Sequence, residues 1–238
     1  MKFKEAIFDL ESSNVCFATF YTNKKGKKDI RILRKYSGYL EVFDKDRGYL
    51  LENAKICDVG NYKLNEKNVK KVLEKINNKH FIFFCNSHLL TYYVCKILNI
   101  KEIIVFDAHL DLKNKYKNKL LNEATWLRRL IELDVKYNVI GARSFDEEEY
   151  KIYIKTRAKN LKKYYISIDL DVLEPIYVDV NYPEPNGLSF SELISLIKKY
   201  AKKSLSLDIV EFNFSSNYLK NVNYIFKIVY EYLYWKFK

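Results

Sequence analysis

The sequence predicts an α/β fold, a three-layer αβα sandwich built on a mainly parallel sheet of about eight strands. Short runs that are apolar on both faces alternate with amphipathic segments, the pattern of strands covered by helices on each side. Gly and Pro number only 6 and 3 in 238 residues, so no linker divides the chain. Hydrophobic residues make up 48%, enough for a sizeable core. With no internal repeat either, the expectation is one domain over residues 1–238.

The apolar runs, taken in order, are Ala6-Ile7-Phe8, Ile56-Cys57-Asp58-Val59, Phe81-Ile82-Phe83-Phe84, Ile103-Ile104-Val105-Phe106, Val139-Ile140-Gly141, Tyr165-Ile166-Ser167-Ile168 and Ser206-Leu207-Asp208-Ile209-Val210. Each is short and β-type, and each reads as a strand. Helical patterns lie between them, as over Glu66 to Ile76 and Phe190 to Lys202. Ser189, with Glu192 three residues on, marks the start of the second. The aromatic segment Tyr224 to Phe237 reads as a buried or subunit-facing helix. Right-handed crossovers then bring the C-terminal ends of the strands to one edge, where ligands bind in such sheets.

Composition narrows the setting. No apolar run reaches the roughly 18–20 residues a membrane span needs, and the start, Met1-Lys2-Phe3-Lys4-Glu5, lacks the apolar stretch of a signal peptide. A cytoplasmic protein with no membrane partner is expected. Cys16, Cys57, Cys85 and Cys95 show no C-x-x-C spacing and read as buried free thiols. The net charge of +12 is spread along the chain, with no nucleic-acid-binding motif, so no nucleic-acid partner is expected.

The chemistry concentrates at strand ends. In Asp107-Ala108-His109-Leu110-Asp111 polar residues recur at every second position, which in extended chain points them to one side. Asp169 and Asp171 repeat that spacing after another apolar run, and His88 follows a third. These six residues are candidate ligands for two divalent cations, with His and Asp together suiting Mn or Zn better than Ca or Mg. Two such ions bind and activate a bridging hydroxide. His80 precedes its strand, belongs to the opposite edge and reads as structural.

These residues resemble the ureohydrolase family of arginases, agmatinases and formimidoylglutamases. Its D-A-H-x-D motif is complete at 107–111, and its S-x-D-x-D-x-x-D-P motif appears as Ser167 to Pro175 with Glu174 for the last Asp. Of its G-G-D/E-H-S motif only His88 remains, within Cys85-Asn86-Ser87-His88-Leu89. Weaker matches are the Ile30-Arg31 segment, Asp58-Val59-Gly60-Asn61, Ile140-Gly141-Ala142-Arg143-Ser144 and Asp208-Ile209-Val210-Glu211-Phe212-Asn213. The resemblance implies an arginase-like fold and two manganese ions. One ion would take His88, Asp107, Asp111 and Asp169; the other would take His109, Asp107, Asp169 and Asp171. It further implies hydrolysis of a guanidino C–N bond, with Asp111 orienting the hydroxide and Glu211 pairing with the guanidinium. A homo-oligomer, trimeric or hexameric, is implied as well.

The chain departs from the family in places that bear on activity. Asn122-Glu123-Ala124-Thr125-Trp126-Leu127-Arg128-Arg129 sets Glu123 where the family has a proton-transferring histidine. A carboxyl group beside two cations tends toward a lowered pKa; three roles are open to Glu123, as a proton carrier that is a poorer acid near neutral pH, as a binder of a cationic substrate tail, or as an inert replacement. The loop after Asp111 has no polar set for an α-amino acid head group, which favours an agmatinase-like reading. Asp146, Glu147 and Glu148 read first as a solvated acidic turn, and second as groups to meet a substrate's far amine. The expected activity is release of urea and an amine from a small cationic guanidino or amidino substrate. The alternatives are hydrolysis of a formimino or amide compound, and a metal-binding homologue without catalysis.

Overall fold

The computed structural model describes residues 1–214 and 217–238. Nine strands occur among them: β1 Val15–Tyr21, β2 Phe43–Asp44, β3 Gly48–Tyr49, β4 Ile56–Lys63, β5 His80–Cys85, β6 Glu102–Phe106, β7 Lys136–Ile140, β8 Tyr164–Asp169 and β9 Ser204–Val210. Seven form one sheet in the order β4-β1-β5-β9-β8-β6-β7, with every pairing parallel. β2 and β3 make a separate antiparallel pair.

The main sheet thus has seven strands rather than about eight. Its first strand is Val15–Tyr21, not the expected run Ala6 to Phe8. Val15 to Phe20 are buried on both faces, as a strand between two neighbours must be, whereas Ile7 is 79% exposed. The other six expected runs fall in strands, save that Gly141 lies just past the end of β7. Longer ladders won over local composition at the N-terminus, because three residues offer too few hydrogen bonds to hold a place in the sheet.

The helices are α1 Lys24–Tyr36, α2 Glu66–Ile76, α3 Leu89–Ile97, α4 Trp126–Ile131, α5 Glu147–Thr156, α6 Phe190–Tyr200 and α7 Tyr218–Phe237. Asn23 and Asn65 cap α1 and α2 by accepting backbone N–H bonds. Ser189 and Glu192 form the expected capping box of α6, which ends at Tyr200 and passes into a tighter turn over Ala201–Lys203. α1, α6 and α7 pack on one face of the sheet through residues such as Leu33, Leu193 and Phe226. α2 to α5 cover the other through Val72, Val94, Leu127 and Tyr153. Burying each such side chain contributes about 1.5–3 kcal/mol, so the two covered faces hold the three layers together.

Two further expectations concern groups away from the cavity. All four cysteines are free and buried. His80 begins β5, at the opposite end from the candidate ligands, and shares a hydrogen bond with the Tyr232 hydroxyl at 3.0 Å. Among the described residues no helix is long and apolar enough to cross a membrane.

The strand order positions the site. β5, β9, β8 and β6 are consecutive neighbours, so the segments leaving their C-terminal ends meet. Those segments carry His88, Glu211, Asp169 with Asp171, and the 107–111 run.

Candidate metal centre and active-site cavity

Within that meeting point two ligand groups form: His88 with Asp107 and Asp111, and His109 with Asp107 and Asp171. Asp107 belongs to both. His88 Nδ1 lies 3.3 Å from Asp107 Oδ2, 3.4 Å from Asp169 Oδ2 and 3.8 Å from Asp111 Oδ2. His109 Nδ1 lies 2.8 Å from Asp171 Oδ2 and 3.5 Å from Asp107 Oδ1. Two imidazole nitrogens and four carboxylates therefore converge, a donor set that fits a pair of divalent cations of the manganese or zinc kind.

Local backbone structure aims these groups. The His109 N–H donates to Asp107 Oδ1 at 2.6 Å, the Ala108 N–H to Asp171 Oδ1 at 3.0 Å, and the Asp171 N–H to Asp169 Oδ1 at 2.9 Å. Asp111 and Glu211 adopt left-handed backbone conformations, at φ 50° and 58°. Such angles are costly for residues with a side chain and recur at functional sites. Gly141, at φ 98°, could not carry a Cβ without meeting Val172 Cγ2 at 2.5 Å and the Asp107 carbonyl at 3.2 Å. This is the physical content of the Ile140-Gly141-Ala142-Arg143 match. Its arginine completes the scaffold: Arg143 Nη2 donates to the carbonyls of Asp171 and Glu184, at 2.7 and 2.8 Å.

Both histidines turn Nδ1 to the carboxylates and Nε2 outward to a supporting group. His88 Nε2 meets Ser167 Oγ at 3.1 Å; Ser167 meets Thr91 Oγ1 at 3.0 Å, and Thr91 donates to buried Asp208 Oδ2 at 2.9 Å. His109 Nε2 faces Glu184 Oε1 at 3.4 Å, and the Ser144 hydroxyl donates to the same oxygen at 3.0 Å. Partners of this kind fix tautomer and ring orientation in metal sites.

Trp126 supports the first group twice. Its ring stacks on His88, with centroids 4.3 Å apart and planes 28° from parallel, and its Nε1–H donates to Asp111 Oδ2 at 2.7 Å. Trp126, Thr91 and Glu184 were not among the residues singled out from the sequence. Trp126 lies in the quoted 122–129 segment and Thr91 one helical turn past His88, but neither position reveals a partner across the fold.

Electrostatics follow from packing so many acids together. Burial raises Asp107 to about 7 and lifts Asp111 and Asp169 well above the usual carboxylate range, and repulsion from neighbouring aspartates adds to each. Burial opposes charge on His109, yet its bonds to Asp107 and Asp171 prevail and push it up to about 12. No Lys or Arg among the described residues pairs with the four aspartates. A cluster compensated only by imidazole is one that cations would stabilise.

The remaining sequence-predicted residues also gather here. Glu123 and Glu211 both line a cavity of about 640 Å³ above the two ligand groups. Glu211 Oε1 accepts the His88 N–H at 3.0 Å, and burial, then Glu123, raises its carboxyl well above the usual range. Glu123 accepts the Ser87 hydroxyl at 2.5 Å, and burial raises it too. Ser87, which stands in place of an acidic residue of the family motif, thus ties down Glu123. The acidic turn behaves otherwise. Asp146 lines the cavity but caps α5 and bonds Lys113, Glu147 pairs with Lys151 at 2.5 Å, and neither Glu147 nor Glu148 lines the cavity.

Comparison with known proteins agrees with this geometry. The family model described as the arginase family matches residues 24–161 and 153–233. An agmatinase of Pyrococcus horikoshii is 30% identical over 211 residues, covering 76% of this chain and 75% of that protein. An N(1)-aminopropylagmatine ureohydrolase of Thermococcus kodakarensis is 27% identical over 212 residues, covering 76% and 74%. The crystal structure of an agmatine ureohydrolase of Thermoplasma volcanium superposes with a TM-score of 0.85, at 22% identity over 99% of this chain and 94% of that one. A Trypanosoma cruzi formiminoglutamase with manganese superposes with a TM-score of 0.82 at 13% identity, over 97% and 96%, a likeness of fold.

Proposed function

The chain belongs to the arginase family, and on that premise we propose that it is a dinuclear metallohydrolase of a guanidino C–N bond, agmatinase-like, releasing urea and an amine. The observation that carries the reading is the convergence of His88, His109, Asp107, Asp111, Asp169 and Asp171 at the floor of a cavity that also holds Glu123 and Glu211. His88, Asp107, Asp111 and Asp169 would hold one cation; His109, Asp107, Asp169 and Asp171 the other. Manganese is the metal the family resemblance favours. When bound, such a pair supplies Lewis acidity and a water acidic enough to serve as nucleophile at neutral pH.

The chain's own residues do the rest. Glu211 faces the cavity and is positioned to accept N–H bonds from a planar guanidinium, a charge-assisted geometry that orients the carbon for attack. Asp111, held by Trp126, orients the nucleophile. Glu123 carries protons between the nucleophile and the departing amine, its hydrogen bond from Ser87 fixing its rotamer. The buried walls strengthen each of these interactions relative to water.

Loading the purified protein with manganese and assaying urea across a panel of guanidino compounds tests the reading. Urea release that chelation abolishes is expected. Amine or ammonia release without urea assigns a formimino or amide substrate instead. Two bound metals with no turnover on either panel would leave a binding protein. We further propose a homo-oligomer, trimer or hexamer, working in the cytoplasm.

A further inference from the structure

We infer that the substrate is zwitterionic, a guanidino compound whose far end carries a carboxylate rather than an amine. This rests on the proposed guanidino reading for the near end. It comes from the charge arrangement of the cavity, which is negative at its floor and positive at its mouth.

The floor holds the carboxylates of Glu123 and Glu211 beside the ligand groups, suited to a guanidinium. The loop between Asp111 and α4 supplies Lys113, Lys117 and Lys119 to the same cavity. Its tip is a tight hairpin. Tyr116 and Lys119 exchange backbone hydrogen bonds at 3.1 and 2.9 Å, and Lys117 and Asn118 take left-handed conformations at φ 47° and 60°. That is the two-residue turn geometry of tight hairpins, so the tip that carries Lys117 and Lys119 has a defined shape. Lys117 Nζ also sits 5.3 Å from the centre of the Tyr116 ring.

The carboxylates on this wall are already engaged. Asp146 accepts the Glu149 N–H at 2.9 Å and bonds Lys113. Glu149 accepts the Leu112 N–H at 2.9 Å and lies 3.2 Å from Lys113 Nζ. Lys113 thus offsets part of the negative charge these two carboxylates bring to the wall. Lys117 and Lys119, in contrast, have no carboxylate within ion-pair distance among the described residues. A far amine would meet two unneutralised ammonium groups; a far carboxylate would be drawn to them.

The test compares two compounds of equal chain length on the manganese-loaded protein, 4-guanidinobutanoate and agmatine. Calorimetric binding and urea release are both read. Two solvent-exposed ion pairs gained, in place of two repulsions, correspond to a preference of up to about tenfold for 4-guanidinobutanoate at low salt. The preference shrinks as ionic strength rises, and the double variant Lys117→Glu with Lys119→Glu removes or reverses it. Equal or tighter binding of agmatine, or faster urea release from it, overturns the inference while leaving the guanidino hydrolase standing. Preferential binding of 4-guanidinobutanoate without urea from either compound upholds the charge recognition and removes the hydrolase reading. Weak, indistinguishable binding of both overturns the inference as well.

Discussion

Trp126→Phe isolates one contact of the candidate metal centre. The substitution keeps an aromatic ring against His88 and deletes the Nε1–H that donates to Asp111 Oδ2 at 2.7 Å. That bond is charge-assisted and Trp126 is fully buried, so about 1.5–3 kcal/mol is at stake. Because each 1.4 kcal/mol is about tenfold, affinity for the cation held by His88 and Asp111 should fall about 10- to 100-fold. The group built on His109 and Asp171 does not touch Trp126 and should keep its affinity, provided the shared Asp107 and Asp169 stay in place. Manganese titration of the metal-free variant, followed by calorimetry and by the electron paramagnetic resonance of free Mn, resolves the two steps. The smaller ring also leaves a void that lowers stability, and the unchanged second step separates that general effect from the specific one. Parent-like affinity at both steps, or an equal loss at both, refutes the argument that Trp126 positions one ligand group.

Other outcomes follow from the same geometry. Glu123→Gln should lower kcat by about 100-fold or more with little change in KM, because the amide cannot carry the proton; parent-like kcat would remove Glu123 from proton transfer, and Glu123→His should restore turnover. Manganese at about 100 times its dissociation constant should add about 2.7 kcal/mol, or about 5–10 °C in Tm by scanning calorimetry; a Tm indifferent to metal and chelator contradicts the candidate centre. Burial, then Lys236, holds His80 down to about 3 from 6.5. The folded chain therefore binds fewer protons at His80 than the unfolded chain, so this stabilising contribution is complete above about 6.5 and is lost as pH falls toward 3. Urea unfolding at pH 7 and pH 4 should show a smaller acid loss in His80→Gln than in the parent; an identical loss contradicts it.

Much of this was legible along the chain. The period-two spacing in Asp107-Ala108-His109-Leu110-Asp111 and in Asp169-Leu170-Asp171 follows directly from extended backbone. Apolar runs on both faces announce a covered parallel sheet, whose strand ends collect ligands. The misjudged element was the N-terminal one, where Ala6-Ile7-Phe8 had the composition of a strand and Val15–Tyr21 had the place in the sheet. Composition is local, whereas a place between β4 and β5 is decided by pairing with segments about 40 and 65 residues away.

By itself the sequence determined the fold class, the ligand types and the strand ends that carry them, because those depend on periodicities and on side-chain chemistry within a few residues. Only the tertiary structure decided which groups act on one another. Trp126 reaches Asp111 across 15 residues, Thr91 links His88 to Asp208 through Ser167, and Arg143 holds the segment bearing Asp171. It also decided that Asp146 is spent on Lys113 and a helix cap while Lys117 and Lys119 face the cavity unpaired. Charges can be counted in a sequence, but which of them neutralise each other depends on distances of a few ångströms, and those exist only once the loops are folded over the sheet edge.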